Sequence, residues 1–197
     1  MNTGLIYVFT GEGKGKTSAA LGVATRSLLL DKKVAWIAFY KQESWGLAEA
    51  KLSDKFENLE MIFGGRGFRI SNFDKKIMKE GKELKLATVG NGAKVVDTAS
   101  EEEHREAATT SLALANKHLE EKPFLLVMDE VLNAVTEGLV DEREVVKLLK
   151  ERGETHIVLT GRGLTNGVRE VADLVTECKK IKHPYDLGKL AVVGLDY

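Results

Sequence analysis

The chain has 197 residues, 43% of them hydrophobic and 30% charged, enough apolar material for one domain with a sizeable core and too much for a disordered chain. Its 29 Lys and Arg nearly cancel its 30 Asp and Glu, leaving a formal net charge of −1, so binding to nucleic acid through its backbone is not expected. A single cysteine rules out an internal disulfide, no Cys/His cluster has zinc spacing, and no apolar run forms a signal peptide or approaches the ~18 residues of a membrane span, which makes the cytosol the expected setting.

Leu5–Thr10 reads as a strand and Thr17–Leu30, rich in Ala and Leu, as a helix. Residues 10–18 between and across them run Thr-Gly-Glu-Gly-Lys-Gly-Lys-Thr-Ser. A glycine-rich turn that follows a strand and opens a helix is the setting of a phosphate-binding loop. Gly11, Gly13 and Gly15 would let the backbone turn with positive φ and aim its N–H groups at phosphate oxygens. The helix N-terminus adds its dipole, Lys16 a positive charge, and Thr17 a hydroxyl for Mg²⁺. Glu12, Lys14 and Ser18 complete the predicted nucleotide-binding segment. The usual pattern G-x-x-x-x-G-K-[ST] would begin at position 10, which is Thr10, so this loop is a variant that can hold phosphates in its own manner. Arg26, nine residues beyond Thr17, reads on spacing alone as an ordinary helix charge.

Lys33–Tyr40 is a second predicted strand, Gly46–Phe56 a helix and Leu59–Phe63 a third strand. Trp36 sits in a strand and reads as core. Trp45 lies among polar loop residues, where it could touch a partner or ligand. Gly64-Gly65-Arg66-Gly67-Phe68 permits close approach of a ligand, with Phe68 offering a ring face, and is equally compatible with a plain turn. The segment 70–99 breaks the rhythm. It holds lysine-rich stretches, a short run Leu86–Val89, a turn signal at Gly90-Asn91-Gly92, and Val95–Val96. It reads as a partly ordered excursion or a hairpin.

A long helix is predicted over Ser100–Lys122, opened by Ser100 and Glu103 at capping-box spacing. Phe124–Asp129 is an apolar strand ending in Asp129 and Glu130. That is where the Mg²⁺-linked acid of a phosphate-loop protein stands, at the carboxyl edge of the sheet. Asp141 and Glu144 repeat the cap before a helix ending near Gly153. Thr155–Thr160 is a strand, Asn166–Asp173 a short helix, Leu174–Cys178 a short strand and Leu190–Leu195 a last one. Arg162, inside Thr-Gly-Arg-Gly after a strand, has guanidinium geometry suited to phosphate. Cys178 reads as a buried small residue, and His183 as structural unless it lies near the site. Strands made of continuous apolar runs are covered on both faces, so the expected fold is α/β, three-layered, with a mostly parallel sheet of the P-loop NTPase-like (RecA-like) kind.

Taken together, the loop TGEGKGKTSAALG with Arg26 downstream, MDE at 128–130, TGRG at 160–163, ADLVTE at 172–177, KHPYDLG at 182–188 and the final GLDY resemble the P-loop type of ATP:corrinoid adenosyltransferase, in family order and over residues 5–197. The resemblance implies that Co(I) of a reduced corrinoid attacks the ribose 5′-carbon of ATP and that intact triphosphate leaves. It assigns Lys16, Thr17, Arg26, Asp129, Glu130 and Arg162 to triphosphate and Mg²⁺. Among these it makes Lys16 and Arg162 catalytic, together with Phe68, whose ring packs on the lower corrinoid face and displaces the axial ligand. It also implies a homodimer and a flavoprotein reductant as partner.

The chain departs from the common form mostly on the corrinoid side. Arg69 and Ile70 replace Thr-Trp, Ala38-Phe39 replaces Gln-Phe, the terminal Ala-Gln-x-Gly reads Ala191-Val192-Val193-Gly194, and the segment 70–99 is longer. Two other functions fit the nucleotide loop by itself: a P-loop ATPase or kinase of another branch, with Glu130 orienting a water or hydroxyl, and a non-catalytic Mg-ATP-binding accessory protein.

Overall fold

A computed structural model describes residues 3–70, 73–79, 82–89 and 93–196. In chain order the elements are β1 (Ile6–Thr10), α1 (Lys16–Leu28), β2 (Val34–Ala38), β3 (Leu59–Phe63), β4 (Lys75–Lys79), β5 (Lys82–Val89), β6 (Ala93–Asp97), α2 (Glu101–Glu120), β7 (Leu125–Asp129), α3 (Val131–Thr136), α4 (Glu142–Lys150), β8 (His156–Thr160), α5 (Asn166–Val171) and β9 (Leu174–Glu177). Six strands form one sheet in the order β3-β2-β7-β8-β1-β9, and every neighbouring pair is parallel. The register sets Ala38 beside Asp129 and Phe9 beside Thr160. The carboxyl ends of β1, β2, β7 and β8 therefore line one edge.

The continuous apolar runs are buried on both faces, as a parallel sheet between helix layers requires. All five residues of β2 and all five of β7 are buried. Val34, Trp36, Ala38, Leu125, Val127 and Val158 point to one side, against Ala20, Ala24 and Leu28 of α1. The alternate residues Ala35, Ile37, Leu126, Met128, Ile157 and Leu159 point to the other, against Ala108, Leu112 and Ala115 of α2 and the apolar faces of α3 and α4. Small residues at the helix contacts let the layers approach closely, and each large side chain so buried contributes about 1.5–3 kcal/mol. Trp36 is core, as expected, at 1% exposed. No helix among the described residues is long and apolar enough to cross a membrane.

The capping box of α2 forms: the Glu103 N–H donates to Ser100 Oγ at 3.1 Å and the Ser100 N–H donates to Glu103 Oε2 at 2.7 Å. Asp141 caps α4 differently. Its carboxylate accepts from the Arg143 N–H at 2.8 Å and from the Arg143 guanidinium, not from the Glu144 N–H as a box would have it.

Elsewhere the chain departs from the sequence reading. The predicted helix Gly46–Phe56 is two 3-10 turns, Glu43–Trp45 and Ala48–Leu52, because Gly46 takes a left-handed φ of +62° and Leu47 is extended. The predicted last strand Leu190–Leu195 is a turn. Asp196 captures the Val192 N–H at 2.7 Å, Gly194 has φ +78°, and Leu190, Val193 and Leu195 are exposed. α3 was not foreseen: Glu130 takes φ +64° and turns the chain straight from strand into helix. In place of a partly ordered excursion or a single hairpin, the described residues of the segment 70–99 hold a three-stranded antiparallel sheet, β4-β5-β6. The turn predicted at Gly90-Asn91-Gly92 lies outside the described residues.

Candidate functional site

β1 delivers the chain to the carboxyl edge of the sheet, and residues 11–15 form the loop that α1 follows. Gly11 and Gly15 have φ of +101° and +114°, the conformation predicted for all three loop glycines. Gly13 is needed for a different reason. A Cβ there would stand 2.6 Å from the Cys178 carbonyl oxygen, to which the Gly13 N–H donates at 2.6 Å, while the Cys178 N–H donates back to Thr10 at 2.7 Å. The end of β9 thus braces the loop from behind, and Cys178, half-buried rather than buried, takes part through its main chain.

Lys16 spans the loop. Its Nζ donates to the carbonyl oxygens of Gly11 at 2.7 Å and Gly13 at 2.8 Å. Burial, then the nearby Arg162, hold its pKa below the usual lysine value. Such an ammonium is strongly held by any anion that enters. Glu12, Lys14 and Ser18 are exposed. Lys14 pairs with Asp196 of the terminal turn.

Asp129 is fully buried at the end of β7. Its Oδ1 accepts from Thr17 Oγ1 at 3.1 Å and from Thr160 Oγ1 at 2.6 Å. Its Oδ2 takes no hydrogen bond and is neutralised by the Lys41 ammonium at 2.9 Å, which also pairs with Glu49 at 2.9 Å. Burial works against the Lys41 charge, but Asp129 and then Glu49 outweigh it and hold its pKa above the usual value. Sequence reasoning missed Lys41. The available signal was its place just beyond an apolar strand at the carboxyl edge, the argument that found Asp129. Thr17 and Asp129 present hard oxygen donors to one another, the donor set that suits Mg²⁺. The residues present therefore fit that ion on the Oδ1 side, with Lys41 filling the other.

Glu130 starts α3, its N–H donating to Thr160 Oγ1 at 2.8 Å. Burial, then the adjacent Asp129, push its carboxyl up to about 7, with Lys41, Lys16 and Arg162 pulling the other way. The folded chain therefore keeps a proton that the unfolded chain releases from 4.5 upward. Below that pH the group costs nothing. Through about 7 the cost grows to something on the order of 3 kcal/mol. Glu130→Gln is accordingly expected to melt close to the wild type at about pH 5 and clearly above it at about pH 8. Thermal unfolding at the two pH values checks this, and an equal difference at both would refute it.

Arg162 is held at the same edge. Its N–H donates to Asn133 Oδ1 at 2.8 Å, and its Nε lies 3.3 Å from Glu12 across the loop. The side chain remains 58% exposed, free to turn to a ligand. Arg26 is not brought to this cluster. It is exposed in the last turn of α1, ten residues and about 15 Å along the axis from Lys16.

A second surface lies beyond β2 and β3. The Gly65 N–H donates to Lys41 O at 3.1 Å and the Gly67 N–H to Tyr40 O at 2.9 Å. A Cβ on Gly65 would meet the Tyr40 main chain at 2.0–2.4 Å, so only glycine lets this loop lie so close. Phe68 is 54% exposed, and its ring centroid is 5.0 Å from that of Trp45. Ile70 does not join them: it is buried, and its N–H donates to Asp97 Oδ2 at 3.1 Å. The second ring comes from Trp45 instead.

Charges behind the loop fix it. Arg69 pairs with Glu101 at 2.6 Å and Glu137 at 3.4 Å. Fully buried Asp97 receives His104 at 2.9 Å, and Lys85 reaches Glu101 at 3.1 Å. The small sheet β4-β5-β6 and α2 are thereby tied to the base of the Phe68 loop. His183 is half-buried, its carbonyl accepting from the Asp186 N–H in the terminal turn.

Residues 2–197 match the family described as ATP:corrinoid adenosyltransferase BtuR/CobO/CobP. The chain is 31% identical over 196 residues to a corrinoid adenosyltransferase of Escherichia coli strain K12, a match covering 98% of this chain and 86% of the relative. It is 30% identical over 200 residues to the corrinoid adenosyltransferase CobA of Salmonella typhimurium, covering 98% and 86%, and 31% identical over 198 residues to a corrinoid adenosyltransferase of a Sinorhizobium species, covering 98% and 80%.

Proposed function

The chain belongs to the ATP:corrinoid adenosyltransferase family, and on that premise we propose how its own residues carry out the transfer. The reaction joins the 5′-carbon of ATP to the Co(I) of a corrinoid and releases triphosphate. The cobalt electron pair makes the new cobalt–carbon bond, and the pair of the breaking carbon–oxygen bond leaves on the triphosphate. No water is activated, so a general base is not required.

What the reaction needs is charge stabilisation on the leaving group. The loop N–H groups, the α1 N-terminus and Lys16 supply it, with the exposed guanidinium of Arg162 closing on the phosphates from the side. Lys16 exchanges its two carbonyl partners for phosphate oxygens. Thr17 and Asp129 would hold Mg²⁺, with Glu130 beside them, and the ion when bound would neutralise triphosphate charge. Lys41 pairs with Asp129 Oδ2 and holds that carboxylate in place. Arg26, a helix length away, is left for a role outside the triphosphate of its own loop.

Phe68 and Trp45 offer the corrinoid an apolar face at the same sheet edge. The homodimer, the flavoprotein reductant and a cytoplasmic setting belong to this reading through the family. The single observation that carries the reading is the pairing of a Lys16-spanned loop with an aromatic pair, exposed Phe68 against half-buried Trp45, on one edge. An ATPase or kinase needs no such apolar face, and an accessory protein needs no leaving-group charge stabilisation.

The test is to incubate the protein with ATP, Mg²⁺ and chemically reduced corrinoid and follow the corrinoid spectrum and phosphate products together. Adenosylcorrinoid and intact triphosphate are expected in equal amounts, with no ADP. Corrinoid-independent release of ADP and phosphate at a comparable rate would overturn the proposal in favour of an ATPase.

A further inference from the structure

His118 lies in the last turn of α2 and is buried, 4% exposed, yet its Nδ1 has no hydrogen-bond partner. An unpartnered buried ring nitrogen costs free energy that a ligand would recover. Two carboxylates flank the ring. Glu60 Oε1, from β3, is 3.6 Å from Nε2, and Glu121 Oε1, at the helix end, is 3.7 Å from Nδ1. Both separations are longer than hydrogen bonds, so the ring is approached by two anions but joined to neither. One ligand atom from each residue lies within 4.8 Å of the other two.

From this arrangement we infer that Glu60, His118 and Glu121 form a binding site for a divalent transition-metal cation, with Zn²⁺ the ion that best matches the donor set. One imidazole and two carboxylates, with water in the remaining position, is a ligand set Zn²⁺ accepts at about 2.0–2.2 Å. An imidazole in the set favours such an ion over Mg²⁺. Glu60 and Glu121 side chains are 54% and 38% exposed, so modest rotations draw their oxygens in to bonding distance while the buried ring stays fixed. Glu121 is already oriented: its Oε2 accepts from Lys33 Nζ at 2.6 Å, which turns Oε1 toward the ring. That same ammonium keeps the Glu121 carboxyl below its usual pKa. The closing carbonyls of α2 add the negative end of the helix dipole.

The site is separate from the nucleotide loop. Glu60 is level with Ala35, and Ala35 with Leu126, three residues or about 10 Å down the strands from Asp129. An ion there would tie edge strand β3, whose end leads to the Phe68 loop, to the helix that covers it.

The test is a calorimetric titration of Zn²⁺ into the full chain with Mg²⁺ in excess and no nucleotide present, so that the phosphate loop does not compete. One Zn²⁺ per chain is expected, its affinity falling at least about tenfold in Glu60→Gln and in His118→Gln. Glu60→Gln alters an exposed residue and keeps the test valid if the buried substitution fails to fold. Failure of the wild type to take up Zn²⁺ would overturn the inference. So would equal affinity in wild type and Glu60→Gln, which would leave His118 as a buried ring beside two acids that hold no ion. Neither result depends on adenosyl transfer.

Discussion

Lys16→Ala is expected to weaken Mg·ATP binding at least tenfold and to slow adenosyl transfer by about a hundredfold or more, in a protein that still folds. The ammonium makes its two hydrogen bonds to the carbonyls of Gly11 and Gly13, across the space that phosphates would enter. Charge-assisted bonds of this kind are worth about 1.5–3 kcal/mol each, and about 1.4 kcal/mol is a factor of ten in affinity. The loss in rate should exceed the loss in affinity. Charge accumulates on the triphosphate only as the carbon–oxygen bond breaks, and removing one preorganised donor at such a point costs about 10²–10³. The fold should survive because the rest of the loop keeps its own anchors. Gly13 remains pinned to Cys178 and Thr17 to Asp129. Calorimetry gives the affinity and single-turnover spectroscopy of the corrinoid gives the rate. Unchanged ATP affinity in the folded variant would take Lys16 out of the phosphate site.

The glycine-rich turn at residues 11–15 and the place of Asp129 at the sheet edge were legible in the sequence because both follow from short-range rules. A glycine-rich turn between a strand and a helix has few other uses, and an acid ending a buried strand must emerge at the carboxyl edge. The parallel sheet was legible for a similar reason, since β2 and β7 are apolar at every position except the terminal Asp129. What escaped notice depends on partners distant in sequence. Lys41 is one lysine among many until the register of β2 on β7 brings it 2.9 Å from Asp129. Ile70 reads as the stand-in for a tryptophan, but Asp97 takes its N–H and it turns inward, while Trp45, 23 positions before Phe68, provides the second ring. Gly13 was assigned a positive φ when its real constraint is the Cys178 carbonyl. The run Leu190–Leu195 has the composition of a strand without a place in the sheet, whose last position on that side β9 already holds. In each case composition set the local preference and a tertiary partner decided the outcome.

Phe68→Ala is expected to lower the rate of adenosylation from a Co(II) corrinoid by more than tenfold, with a much smaller loss when the reaction starts from pre-formed Co(I). A lower axial ligand donates electrons to cobalt and makes its reduction harder. An apolar ring on that face removes the ligand, and a second ring keeps water from replacing it. The role proposed for Phe68 rests on its position: more than half exposed, 5.0 Å from Trp45, on a loop whose Gly65 lies against the Tyr40 main chain. Losing one of the two rings removes apolar area that the corrinoid would bury, worth about 1.5–3 kcal/mol for a side chain of this size. It also opens a path for water to the metal. Once the cobalt is Co(I) the ligand is already gone, so the same substitution then costs only contact with the corrinoid. ATP affinity should barely change, because the loop at residues 11–15 and Lys41 keep their own anchors. Trp45→Ala is expected to give the same pattern in weaker form. The measurement is a pair of initial rates for each protein, one from Co(II) with a mild reductant and one from Co(I). An equal loss from both starting states would reduce Phe68 to a general corrinoid contact. No loss from either would mean that the aromatic pair at this sheet edge is not the face on which the corrinoid is reduced.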